Sequence, residues 1–556
     1  MRSIQLALVA TATAASVLVA TPQATQAVAP SSTAAHAAPA PGRLTNLAHL
    51  DFLGDTVTPP AQEGHTTYQI EQRPELGTLW TYADRNADGS FRRVGGGAYD
   101  AATNTWGQGA FNADDVARAA VVYVRDWQQT GSAHSRDAAF QMLRGLTYLQ
   151  TVTGDNAGNV VLWMQPDGTL NPSADPVELP DPSDSDASYW LARTVWALGE
   201  GYAAFRADDP AFAQFLADRM DLAVTAIDRQ VLVKDGQYLQ VDGRRTPAWL
   251  IAQGADASAE ALLGLCAYVR AGGSGSADAA HALARLADGI AQLSGGDAKN
   301  WPFGAVLPWA LSRSDWHAWS SQMPAALAAA SRVLGDPSLA RVAAVDSFTF
   351  DPWMLTSGGP DNGRLPTRTD TTQIAYGADS RVQSLIATGG AGNDLAGIVA
   401  AWFFGANAAG VPTYDPATGV TIDGVSGDGV INRNSGAEST IHGLLTMLAL
   451  DAHPDVRRVA ESASILDRVS PYLVEGEVGT FSGGASAVVP PSMWTGESLY
   501  SGTGYASLRG GSTATYDLGG HADALLMPVV DLRSGTTGAT TFRGRHDRRI
   551  GVVRAG

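Results

Sequence analysis

Residues 112–127 read NADDVARAAVVYVRDW. An amide and two acids precede a run that is apolar almost all the way round. Short polar side chains satisfy the first N–H groups of a helix, and acids suit its positive end, so Asn112 to Asp115 reads as a helix start. The run that follows lacks the wet face of a surface helix, so it has to be buried on both sides. The same arrangement recurs in DSDASYWLARTVWALGEGY, DASAEALLGLCAYV, DWHAWSSQMPAALAAASRVLG, AYGADSRVQSLIA and SGAESTIHGLLTMLAL. These stretches begin at residues 184, 256, 315, 375 and 435, spaced 59 to 72 residues apart. A near-constant period of that size points to a repeated supersecondary unit.

Between these runs lie amphipathic ones, such as AFAQFLADRMDLAVTAIDRQVL, DAAHALARLADGIAQL, PSLARVAAV, DLAGIVAAWFFG and DVRRVAESASILDRV. In SRDAAFQMLRGLTYLQTV, Phe140, Leu143, Leu146 and Leu149 recur at helical spacing, while Arg136, Arg144 and Gln150 fall elsewhere. Six buried helices alternating with six half-wet ones predict a mainly α protein, an (α/α)6 toroid over residues 111–468. Inner helices of about 15 residues make a wall roughly 22 Å tall. The excursion WMQPDGTLNPSADPVELPDPSD breaks the rhythm; loops of that length usually carry function.

The flanks differ. Residues 1–28 have the short charged start, weak apolar core and small-residue site of a secretory signal, and 29–43 form an Ala/Pro/Ser-rich linker. Export to the cell exterior or envelope is expected, with no membrane span. Residues 44–110 hold short strand-like pieces, including TTYQIEQ, GTLWTYAD and GSFRRVGG, and 469–556 form a small β-rich region. DRNADGS, with Asp84, Asn86 and Asp88, begins like a calcium loop, but its twelfth position is Gly95 rather than a bidentate Glu, so a hairpin turn is expected, with a structural calcium there as the lesser alternative. A net charge of −18 argues against nucleic acid, whose binding needs clustered cations; the exception is the tail FRGRHDRRIGVVR, read as a solvated terminus. Cys266 is the only cysteine, set in an apolar run, so a buried, inert thiol is expected and no disulfide. No catalytic metal or other cofactor is expected, and the chain is expected to act as a monomer.

In such a ring the inner helices run parallel, and their first turns gather at one opening. The acids there are catalytic candidates: Asp115, Asp186, Asp256, Glu260 and Glu438. Candidate sugar-binding residues are Tyr189, Trp190, Trp316, His317, Trp319, Gln322, Tyr376, Asp379, Arg381, Asn432 and Asn434. Carboxylates bind paired hydroxyls and move protons, and aromatic faces stack on pyranose C–H groups. Each has a plainer explanation. Ser435-Gly-Ala-Glu438 matches a capping box, and Trp301, Trp309, Trp316 and Trp319 can be core. Glu260 resists that explanation, because it sits one turn beyond Asp256 among Ala, Leu and Cys, where an unpaired carboxylate is costly.

The stretch WFFGANAAGVPTYDPATGVTIDGV, followed by NRNSGAEST, resembles the last part of the (α/α)6 barrels of many glycoside hydrolases, some sugar epimerases and several polysaccharide lyases. It carries Tyr414, Asp415 and Asp423 ahead of a last inner helix opened by Glu438. The resemblance implies an exported glycoside hydrolase acting on a poly- or oligosaccharide through carboxylate acid–base chemistry; Glu438 is the foremost candidate because its loop, rich in Asn and Gly, offers hydroxyl-binding partners. Two alternatives stand beside it. One is a polysaccharide lyase using His317, Tyr376 and Arg381; the other is a non-catalytic glycan-binding or envelope protein.

Overall fold

The computed structural model describes residues 42–171, 182–241, 244–362, 370–467, 472–489, 503–521, 524–530 and 537–554. The expected signal peptide and residues 29–41 of the linker lie outside the described residues. The repeated unit appears as twelve helices, here α1 to α12. The odd-numbered ones are α1 (Ala113–Thr130), α3 (Tyr189–Phe205), α5 (Ala255–Ala271), α7 (Met323–Leu334), α9 (Ala375–Thr388) and α11 (Ala437–Ala452). The even-numbered ones are α2 (Ala133–Leu149), α4 (Pro210–Gln230), α6 (Ser276–Ala291), α8 (Pro337–Val345), α10 (Gly392–Ala400) and α12 (Pro454–Ser462).

Each odd helix packs on the next odd helix, and α11 returns to α1, so the odd set closes a ring. Each even helix packs on the odd helix before it and forms the outer layer. The chain folds as an (α/α)6 toroid. Local chemistry sets many helix ends. Asn112, Ser132, Ser188, Asp209 and Asp336 cap the starts of α1, α2, α3, α4 and α8 with their side chains. Gly131, Gly272 and Gly335 end α1, α5 and α7 in the left-handed region that favours glycine.

The seam between the first and last units is stitched by the segment before the barrel. Asp451, near the end of α11, accepts the N–H groups of Leu44 (2.8 Å) and Thr45 (3.0 Å) and pairs with Arg43 (3.2 Å). Arg43 also reaches Asp126 on α1 at 3.2 Å. The buried Tyr414 hydroxyl donates to the Leu44 carbonyl at 2.7 Å, so the loop resembling barrel ends serves here to anchor the N-terminal segment.

Several expectations need correction. TTYQIEQ forms turns rather than a strand, because the Arg144 guanidinium is buried beneath it and donates to the carbonyls of Tyr68 (2.9 Å) and Glu75 (2.6 Å). Arg144 is thus inward-facing, not on a wet face. The fourth inner helix starts at Met323 rather than near Asp315; DWHAWSSQ is a loop in which Ser320 has φ 55°. The last outer helix ends at Ser462, before the expected Val469. Asp84 and Asp88 lie in or beside a hairpin of Tyr82–Arg85 with Phe91–Val94, where Asp84 pairs with Arg92 (2.6 Å) and Asp88 accepts the Ser90 hydroxyl (2.6 Å). Cys266 is buried, and burial pushes its thiol up to about 12. Beyond the barrel, the described residues form two-stranded pairs: Thr480–Ser482 with Thr513–Thr515, Ser486–Val488 with Tyr505–Ser507, and Ala539–Arg543 with Arg549–Arg554. No helix among the described residues is long and apolar enough to cross a membrane.

The tightest approach in the ring joins α3 and α5. A Cβ on Gly199 would lie 2.0 Å from the Gly264 carbonyl oxygen, and one on Gly264 would lie 2.1 Å from the Val195 carbonyl oxygen. Backbone cannot step aside as a flexible side chain does. Gly199→Ala is therefore expected to lower stability by about 2–3 kcal/mol, read as a shifted urea midpoint. An unchanged midpoint contradicts this packing.

Candidate active site

The first turns of the inner helices meet in two tiers, each set by i, i+4 spacing on one helical face. The outer tier holds Asp114, Tyr189, Asp256 and Glu438. One turn deeper lie Arg118, Arg193, Glu260, Asp379 and His442. The deeper tier crosses the ring axis. Tyr376 of α9 donates its hydroxyl to Glu260 of α5, and Arg193 of α3, directly opposite in the ring, donates to the Tyr376 oxygen at 3.1 Å. Arg193 also pairs with Glu260 (2.9 Å) and with Asp114 (2.5 Å). A buried guanidinium without partners costs several kcal/mol; two carboxylates on neighbouring helices offset that cost.

Arg118 organises the other half. It pairs with Asp115 at 2.8 Å and lies 3.6 Å from Glu438. Its Nη1 also contacts His442 Nε2 at 3.0 Å, and His442 Nδ1 contacts Asp379 at 2.8 Å. A guanidinium only donates and a carboxylate only accepts, so Nδ1 carries the proton and Nε2 the lone pair. Burial lowers the His442 pKa, with Asp379 opposing, so the ring is neutral. Tyr376 stacks on it at 3.8 Å.

A third cluster comes from the loop before α7. Tyr189 donates to both oxygens of Asp256 at 3.1 Å. His317 Nε2 lies 3.6 Å from Asp256, and its Nδ1 donates to the Trp319 carbonyl at 2.9 Å. Its ring stacks on Trp319 at 3.8 Å, with Trp309 4.9 Å away. Burial pushes the Asp256 carboxyl up to about 8 and the Asp115 carboxyl up to about 7, the latter with help from Glu438 and Asp114.

Access sorts these groups. Glu438 has 47% of its side chain exposed and Asp114 18%, whereas Asp115 and Asp256 are buried. Sequence reasoning chose Asp115 from the acidic pair; the helix turns that carboxyl inward to Arg118 and leaves Asp114 at the opening. The capping box does not form. The α11 N-cap is Gly436, without a side-chain cap bond, so Glu438 is not spent as a cap.

Other expected site residues lie elsewhere. Trp190 is core, its N–H given to the Val160 carbonyl at 2.7 Å. Trp316 is fully buried against Phe350. Arg381 is buried in an ion cluster with Asp346 and Asp351. Asp186 is exposed ahead of the Ser188 cap. Asn432 is exposed, and Asn434 accepts the Arg85 N–H at 3.0 Å, tying the loop to the N-terminal hairpin. Gln322 is buried at the α7 N-cap position, with no side-chain cap bond. Arg118 and Arg193 were missed, although each stands four residues after a chosen or adjacent junction residue.

No protein-family model matches the chain, and no curated protein matches its sequence. Similar solved structures include a sugar epimerase from a ruminal bacterium, at 13% identity and TM-score 0.49, covering 74% of this chain and 97% of that one. A D-mannose isomerase has 13% identity and TM-score 0.45, covering 69% and 92%. An α-1,6-mannanase of Salegentibacter sp. has 11% identity and TM-score 0.39, covering 63% and 94%. At such values the chemistry is read from the side chains.

Folded Asp256 and Asp115 keep protons that the unfolded chain releases near its ordinary 3.8. The folded state therefore binds more protons between those values, and stability falls as pH rises towards 8. Asp256→Asn, neutral at every pH, is expected to remove on the order of 1 kcal/mol of that fall. Urea midpoints at about pH 5 and pH 8.5 measure it; an equally steep fall in the variant contradicts a protonated Asp256.

Proposed function

We propose that the protein is a carbohydrate-active enzyme, a glycoside hydrolase that works at the N-terminal opening of its helical ring. The observation that carries this reading is the Glu438 carboxylate of α11, 47% exposed at the opening, with Asp114 of the adjoining helix α1 beside it and salt-bridged to Arg193. Across the ring from α1, the loop before α7 presents the half-buried rings of Trp309 and Trp319. A pyranose stacked there brings a glycosidic oxygen towards carboxylates, one of which protonates it while the other attacks or activates water. Glu438 remains the foremost candidate. It is the more exposed of the two, and Arg118 steadies its charge. Asp256, with His317 Nε2 3.6 Å away behind the tryptophans, suits hydroxyl recognition and proton storage.

The lyase alternative loses two of its three residues. Arg381 is committed to Asp346 and Asp351, so it is not available to neutralise a uronate. The Tyr376 phenol is held by Glu260 and Arg193, and burial raises its pKa far above a working base. Arg118 and Arg193 are already paired with acids. A second reading has support of its own. His317 has Nδ1 tied to the Trp319 carbonyl, which fixes Nε2 as the basic nitrogen, whereas the corresponding nitrogen of His442 is spent on Arg118. A neutral imidazole of that kind suits proton abstraction beside a sugar carbonyl, the chemistry of isomerases and epimerases.

Purified protein incubated with a broad oligosaccharide panel is expected to release reducing ends. Glu438→Gln is expected to lower that rate about 100-fold or more while leaving sugar binding near wild type. Wild-type turnover by Glu438→Gln contradicts the assignment. Conversion of free mannose or glucose to a new sugar without hydrolysis favours the isomerase reading.

A further inference from the structure

We infer that Asp423 is the positioning residue for Glu438: the loop before α11 supplies in trans the carboxylate that fixes the first turn of that helix. The inference rests on the proposed role of Glu438. The helix brings no side-chain cap of its own, since its N-cap is a glycine. Its first donors are met from outside. The Asp423 Oδ1 accepts the Gly436 N–H at 2.9 Å and the Ser439 hydroxyl at 2.7 Å. The Thr81 carbonyl accepts the Ala437 N–H at 3.0 Å. Glu438 lies between these anchored residues, and its own carboxylate is left to face the opening.

The packing is built for this contact. Asp423 precedes the short strand Gly424–Val425, which pairs with Ile431–Asn432 just ahead of the helix. The preceding residues press onto α11 so closely that a Cβ on Gly443 would lie 2.1 Å from the Thr421 hydroxyl. A Cβ on Gly436 would lie 3.1 Å from the Thr81 carbonyl oxygen. Burial pushes the Asp423 carboxyl up to about 6, its two donors oppose that, and the acids Glu438 and Asp84 add to it. The residue that orients Glu438 therefore also feels its charge. A carboxylate aimed at the positive end of a helix is worth keeping despite burial. Asp423→Asn keeps an oxygen for both donors but no charge; Asp423→Ala removes the anchor.

Carbon-13 NMR of protein labelled at aspartate carboxyls, with Asp423→Asn to assign the signal, is expected to show Asp423 titrating at about 6. In Glu438→Gln that midpoint is expected to fall. Amide exchange at residues 436–439 is expected to quicken at least 10-fold in Asp423→Ala and to stay near wild type in Asp423→Asn. With 4-nitrophenyl mannoside, glucoside and galactoside as probes, Asp423→Ala is expected to lose at least 10-fold in kcat with little change in KM, and Asp423→Asn to restore most of it. An Asp423 midpoint unmoved by Glu438→Gln, or exchange unmoved by Asp423→Ala, overturns the inference. Should wild-type protein cleave none of the three probes, the hydrolase reading suffers while the titration and exchange measurements still decide this one. If Asp423→Ala does not fold, amide exchange at residues 436–439 and kcat in Asp423→Ser decide it, with the same expected and overturning results.

Discussion

The structure turns on one contact: the Tyr376 hydroxyl held between Glu260 and Arg193 across the axis of the ring. Six apolar helices that bury both faces leave a central space lined by their first turns. Filling that space with apolar side chains would give a stable bundle with nothing to do. Filling it with unpaired charge would not fold, because buried ions are costly unless matched. The chain takes a middle course. Arg193 reaches Asp114, Glu260 and Tyr376 from three other helices, and Arg118 reaches Asp115, Glu438 and His442. Two guanidiniums thereby neutralise a ring of acids and tie the helices to one another at the same level.

That arrangement decides which groups meet solvent. Every deeper residue is buried and engaged by a partner on another helix, so the chemistry is left to the tier above, where Glu438 meets solvent. There the two sides of the opening differ. One presents the carboxylates of α1 and α11; the other presents indoles on a loop rather than a helix. The loop exists because the fourth inner helix is short, beginning at Met323. Shortening one staves the wall and lets Trp309, His317 and Trp319 turn inwards. Function on this fold lives in that asymmetry, not in the symmetric ring.

The ring was legible in the sequence because burial on both sides leaves an unmistakable pattern, and because the period survives even where the residues differ. The membership of the site was legible only in part. Glu260 could be picked out, since a carboxylate among Ala, Leu and Cys demands a partner. Arg118 and Arg193 looked like ordinary helix residues, because nothing local says that a cation points along the axis. Asp114 and Asp115 could not be separated without knowing how α1 is rotated. Trp316 and Trp319 are three residues apart, yet one is core and the other lines the opening; a loop has no period from which to tell them apart. Arg381 has the right neighbours in sequence and the wrong ones in space, Asp346 and Asp351.

The central claim is that one opening, with indoles on one side and carboxylates on the other, is where a sugar sits. A crystal structure of the Glu438→Gln protein soaked with an oligosaccharide tests it most directly. The account predicts a pyranose against Trp319, with a glycosidic oxygen within hydrogen-bond reach of Gln at position 438 or of Asp114. Sugar bound only elsewhere on the molecule, with that opening empty, contradicts it.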